Sequence, residues 1–224
     1  MITVIPAIIP HTKEQLEEEI EKVLKFAKLV QIDVSDGVFV PTKSWPYNNQ
    51  DAEFFNKLKN GEVGWPHWQD LDFEIHLMIK NPEDTVLDWI KTGVSSVVAH
   101  IEATDNFQKV IDICKENSVS VGVAIKPSTD IEKLKPFVPQ IDFIQVMGND
   151  LLGKHGILLD KKAIDMITRL RELYPERIIG IDIGVTTETA ETLVSAGANK
   201  LISGSAILDS DNSEEVFKYF ESLS

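Results

Sequence analysis

Val30-Gln31-Ile32-Asp33-Val34-Ser35-Asp36-Gly37 reads as a short buried strand that ends on two carboxylates and turns at a glycine, continuing as Val38-Phe39-Val40-Pro41. The arrangement returns twice. Phe73-Glu74-Ile75-His76-Leu77-Met78-Ile79 and Ile178-Ile179-Gly180-Ile181-Asp182-Ile183-Gly184 each put an ionisable residue where a short apolar strand stops. Three strand ends carrying three polar groups predict one site, formed where those ends meet.

Working outward, β-branched runs alternate with amphipathic stretches along the whole chain, the pattern of consecutive β/α units around a parallel sheet. Eight strands are expected, at Ile2 to Pro6, Leu29 to Val34, Phe73 to Met78, Ser96 to Ile101, Ser120 to Ile125, Asp142 to Met147, Ile178 to Asp182 and Lys200 to Ser203. Most are nearly continuously apolar, as strands covered on both faces are. Thr12 with Gln15 forms a capping box ahead of Leu16, Ile20, Val23, Leu24 and Ala27, which share one helical face. Thr186 is placed to cap a helix carrying Ala190, Leu193 and Val194, and Ser213 to cap the last one. Eight units favour an α/β fold of the closed (β/α)8 barrel type over an open doubly wound sheet. The 224 residues suit one such barrel, which commonly takes roughly 200–250 residues, and no linker divides residues 1–224.

Composition narrows the function classes. The formal net charge of −14 argues against nucleic acid or an anionic membrane as partner, because phosphate backbones are bound through excess Lys and Arg. No apolar run approaches the ~20 residues needed to span a bilayer. Met1-Ile2-Thr3-Val4-Ile5-Pro6 has the look of a first strand rather than a secretory signal, so a cytoplasmic location is expected. Cys114 is the one cysteine and stands at core spacing with Val110 and Ile111, which excludes an internal disulfide and a thiolate metal cluster. From Thr42 to Asp72 the chain is least regular and dense in aromatics, with Trp45, Tyr47, Trp65, His67 and Trp68. These rings plug a barrel end or cover a long loop, or else form a partner surface.

In a parallel barrel all strand C-termini reach one rim, where the barrel's chemistry is placed. Asp33, Asp36, His76, His100, Glu102, Lys126 and Asp182 fall at or just beyond such ends. Two carboxylates across a barrel mouth suit removal of a proton from one face of a carbon and its return to the other. A free Asp, with a pKa near ~3.9, is a weak base, so the proton must be acidified by hydrogen bonds or by a cation at the developing enediolate. The last two strand ends carry Ile183-Gly184-Val185-Thr186 and Ser203-Gly204-Ser205-Ala206. Their small residues and backbone N–H groups fit a phosphate cradle after strands seven and eight, unless the glycines serve only the turns.

With these residues in hand the chain resembles the ribulose-phosphate 3-epimerase family over nearly its whole length. The resemblance is carried by Ile32-Asp33-Val34 with Asp36-Gly37 and Phe39-Val40-Pro41, by Ile75-His76-Leu77-Met78-Ile79 and by His100-Ile101-Glu102-Ala103. Gly122-Val123-Ala124 with Pro127, Val146-Met147, Asp182 with Gly184, Glu188-Thr189-Ala190, Ala196-Gly197-Ala198 and Gly204-Ser205-Ala206-Ile207 follow in order. It implies a TIM barrel that epimerises a ribulose 5-phosphate-like ketose phosphate, with Asp33 and Asp182 as acid and base. It further implies a divalent metal (Zn, Fe, Mn or Co) on Asp33, His76 and Asp182, substrate contacts at Ala7, Gln31, Met78 and Met147, and self-association into a homo-oligomer. Phosphate would lie at Gly184, Gly204 and Ser205 and under the loop Gly148 to Gly156, which holds Gly153 and two further candidates, Lys154 and His155.

The chain departs from that pattern at its chemistry. Gln31 stands where the first metal-binding histidine is expected, Ala7 where a substrate-contacting serine is, and Ser35 where a methionine is. An amide oxygen is a poorer transition-metal ligand than imidazole. Two other readings therefore stand beside the epimerase: a barrel that binds a sugar phosphate without turnover, and a barrel lyase or aldolase forming a Schiff base at Lys126.

Overall fold

A computed structural model describes residues 2–153 and 156–224; Lys154 and His155, two of the phosphate candidates, lie outside the described residues. Eight parallel strands close in sequence order: β1 (Thr3–Ile8), β2 (Leu29–Ser35), β3 (Asp72–Met78), β4 (Ser96–His100), β5 (Ser120–Ile125), β6 (Phe143–Met147), β7 (Ile178–Asp182) and β8 (Lys200–Ser203). β8 returns to pair with β1. The fold is a (β/α)8 TIM barrel.

Each strand alternates between two apolar environments. On β2, Val30, Ile32 and Val34 face the main core between sheet and helices, which leaves Gln31, Asp33 and Ser35 for the barrel interior. Both sets are buried, which is why the strand reads as continuously apolar apart from its functional positions. The helices of this outer layer are α1 (Lys13–Val23), α2 (Ala52–Lys59), α3 (Val86–Ile90), α4 (Phe107–Glu116), α5 (Lys161–Leu173), α6 (Ala190–Ser195), α7 (Ser205–Leu208) and α8 (Ser213–Glu221). Thr12 caps α1 as expected, its hydroxyl accepting from the Gln15 N–H at 3.1 Å, while the Gln15 amide oxygen accepts from His11 N–H at 2.9 Å. Two caps differ from the sequence reading. α6 starts only after Thr189, because Thr186 and Thr189 first tie each other into a turn, and α8 is capped by Asn212 rather than Ser213.

The aromatic segment contains a helix, α2, that the sequence reading treated as irregular. Trp45 and Trp65 are buried, in contact with Phe54, Phe55, Phe73 and Trp89, so the rings fill the space between the barrel's outer surface and its helices instead of plugging an end. Trp68 alone among these tryptophans is largely exposed, at 63 %. Cys114 is buried in the same outer core.

Inside the barrel, below the functional rim, β3 and β8 are tied across the interior by Lys200, whose Nζ lies 2.8 and 2.7 Å from the two oxygens of Glu74. Ser96 donates to the same carboxylate at 2.8 Å. The Lys200 ammonium also rests 3.5 Å from the centre of the Phe143 ring, which occupies the space a side chain at Gly122 would need.

Candidate active site

Register sets the site. Asp33 on β2 is level with His76 on β3, and Met147 on β6 is level with Asp182 on β7, so four inward side chains arrive at one height near the C-terminal rim. Above them lies a cavity of about 230 Å³ lined by Ala7, Asp33, Met78, Met147, Gly153, Asp182, Gly184, Gly204 and Ser205 among others. Nine of the expected site residues thus share one wall system. Gln31 and His76 do not line the cavity; both are wholly buried just beneath it.

Beneath the cavity the polar groups form one cluster. His76 Nδ1 is 2.9 Å from Asp33 Oδ1 and 3.5 Å from Asp182 Oδ2. Gln31 Nε2 donates to Asp33 Oδ1 at 2.9 Å, and Gln145, a residue the sequence reading passed over, donates to Asp182 Oδ2 at 3.3 Å. Gln145 stands two residues before Met147 on the inward face of β6, so strand alternation alone would have flagged it. Burial and the neighbouring Asp33 charge push the Asp182 carboxyl up to about 7, a value that lets it hold a proton near neutrality. Burial works to lower the His76 pKa, but its hydrogen bond to Asp33 and the charges of Asp33 and Asp182 outweigh that and raise it.

The other rim groups separate. Asp36 is a loop clamp: its carboxylate accepts from the N–H groups of Val38, Phe39 and Lys80 at 2.8, 3.0 and 2.8 Å. Lys126 holds its ammonium 4.6 Å from the centre of the Phe39 ring and is absent from the cavity wall, so the lysine chemistry gains no support. His100 and Glu102 extend the buried cluster sideways, behind His76.

At the cradle, Ile183 and Gly184 adopt φ of +79° and +73° in succession. A β-branched residue in the left-handed region is strained, and here it turns the chain sharply at the cavity wall directly after Asp182. A side chain on Gly184 would stand 2.9 Å from the backbone N of Leu159, so only glycine fits. Ser203, also on the wall, is fixed by donating to Val185 O at 3.1 Å.

A family model for the ribulose-phosphate 3 epimerase family matches residues 3–208. The chain belongs to the ribulose-phosphate 3-epimerase family. It is 28% identical over 212 residues to the ribulose-phosphate 3-epimerase of Schizosaccharomyces pombe, covering 94% of this chain and 89% of that one. It is 29% identical over 213 residues to the enzyme of the same name from Bacillus subtilis, covering 92% of each. Among solved structures, 3-hexulose-6-phosphate synthase from Salmonella typhimurium superposes with a TM-score of 0.70 over 98% of this chain and 96% of that one, at 17% identity, a likeness of fold alone.

The divalent cation that membership in the epimerase family implies is matched by the residues present. Asp33, His76 and Asp182 each offer a donor atom, all within 4.8 Å of one another. The Gln31 amide oxygen is buried with no hydrogen-bond partner, so turning that amide over would present it as a fourth ligand. The donor set would be one imidazole nitrogen against three oxygens, harder than a set with two imidazoles. The second departure within the epimerase family pattern, Ala7, brings only a methyl group to the cavity.

Proposed function

We propose that the protein epimerises a ketose phosphate of the ribulose 5-phosphate type at C3, with Asp33 and Asp182 as the proton-transfer pair. The observation that carries this reading is that both carboxylates face a single cavity whose wall also includes Gly184, Gly204 and Ser205. In one direction Asp33 takes the C3 proton from one face of the substrate and Asp182, whose carboxyl burial and the Asp33 charge push up to about 7, delivers one to the other face. The reverse reaction exchanges these roles. Asp33, His76 and Asp182, with the Gln31 amide oxygen as the fourth donor, would hold a divalent cation, which would supply charge stabilisation to the enediolate.

The remaining residues bind and shield. Gln145 holds Asp182 in position from below, and Gln31 holds Asp33 while its Nε2 faces that carboxylate. Met78 and Met147, both on the cavity wall and almost wholly buried, exclude water around the reacting carbon. The phosphate is received by the backbone of Gly184, Gly204 and Gly153 and by Ser205; among the described residues the cavity wall carries no Lys or Arg. No helix among the described residues is long and apolar enough to cross a membrane. A cytoplasmic location and self-association belong to the same proposal, the latter testable by sedimentation velocity.

The deciding experiment is the incorporation of solvent deuterium at C3 of ribulose 5-phosphate. The unaltered protein is expected to exchange, and Asp33→Asn and Asp182→Asn each to lose about 10²–10⁴-fold in rate. Exchange that survives both substitutions refutes the pair. Ligand-induced thermal stabilisation with no exchange in the unaltered protein assigns binding without turnover.

A further inference from the structure

We propose that His100 and Glu102 form a positioning relay that dictates which ring nitrogen of His76 meets the Asp33–Asp182 cluster with its electron pair free. The inference rests on the reading that this cluster is the working site. It begins outside it. Glu102 Oε1 is pinned by the Lys126 N–H at 2.8 Å and by the Thr129 hydroxyl at 2.6 Å, which leaves Oε2 facing His100 Nδ1 at 3.2 Å. A carboxylate can only accept there, so His100 carries its hydrogen on Nδ1.

His100 Nε2 is then an acceptor, and it faces His76 Nε2 at 2.9 Å. Two ring nitrogens at that distance share one hydrogen, and it must come from His76. His76 Nε2 is thereby committed as a donor to His100, and Nδ1 becomes the atom left for the site, 2.9 Å from Asp33 Oδ1. With a hydrogen on Nδ1 as well, the ring donates to Asp33 Oδ1; without it, Nδ1 offers its pair to a cation, and in both cases Nε2 stays committed to His100. Both imidazoles are wholly buried, so no solvent competes for these positions, and the two rings lie nearly parallel at 5.0 Å with an interplanar angle of 28°. Neither His100 nor Glu102 lines the cavity, so their role is to orient His76, in the manner of the outer partners that fix metal-binding histidines.

Nitrogen-15 imidazole spectra of the unaltered, chelator-treated protein under alkaline conditions test this directly, with His100→Gln used to assign the resonances. The expected pattern is hydrogen on Nε2 of His76 and on Nδ1 of His100; the opposite tautomer on either ring overturns the relay. A second measurement titrates Mn²⁺ into Glu102→Gln, whose affinity is expected to fall by about 10–100-fold at an unchanged thermal midpoint, whereas unchanged affinity speaks against the relay. If the unaltered protein binds no Mn²⁺, or exchanges no deuterium, the proposed function loses its metal or its reaction, and the spectra still decide the relay by themselves.

Discussion

Asp182 is the side chain whose charge the fold controls most directly. Its carboxyl is pushed up to about 7 by burial and by Asp33, so the native state prefers it protonated. A folded-state pKa above the ordinary value near ~3.9 contributes stability below that value and loses it as pH climbs through the folded one. The thermal midpoint of Asp182→Asn, relative to the unaltered chelator-treated protein, is therefore expected to rise from about pH 4 to about pH 7 and level off above; a constant difference over this window refutes the assignment. Gln31 carries the second prediction at this scale. Replacing it by His converts an oxygen-rich donor set into one with two imidazoles, which favours Zn²⁺. Calorimetric titration of Gln31→His is expected to show Zn²⁺ affinity raised by about 10–100-fold relative to Mn²⁺. Unchanged affinity for both metals would show that the residue does not contact the ion.

At the scale of elements, the turn between β7 and α6 concentrates the constraint. Ile183 and Gly184 both hold positive φ, and the wall of Leu159 stands where a Gly184 side chain would go. Gly184→Ala is expected to cost about 1–3 kcal/mol in urea unfolding and to weaken inhibition by inorganic phosphate; loss of stability with unchanged phosphate inhibition would reduce the glycine to a turn residue. Element identity was largely legible beforehand, element ends less so. β1 was expected to stop at Pro6 but runs to Ile8. Pro6 is the last residue paired with β8, and pairing with β2 starts at Ala7, so its missing N–H falls between two ladders. α2 was missed because its apolar residues bury into an aromatic cluster built by Trp45, Trp65 and Trp89, a context no local period announces.

For the whole molecule, the interior ion pair of Lys200 with Glu74 joins β3 to β8 through residues 126 positions apart. Removing one partner of a buried pair leaves a charge uncompensated, so Glu74→Ala is expected to cost about 3–5 kcal/mol, and Glu74→Leu with Lys200→Met to recover most of it. Urea midpoints of the two variants check this; equal losses would mean that the pair matters for shape rather than charge. What the sequence by itself determined was the alternation of eight strands with helices, the ionisable residues at strand ends and the glycine turns beside them, because burial on two faces and turn chemistry are written in neighbouring residues. That Asp36 clamps a loop while Asp33 enters the site, that Gln31 and Gln145 support one carboxylate each, and that His100 reaches His76 were decided only by the closed barrel. Those contacts depend on strand register and on which side chains meet across the interior, and both are set by the closure of all eight strands together.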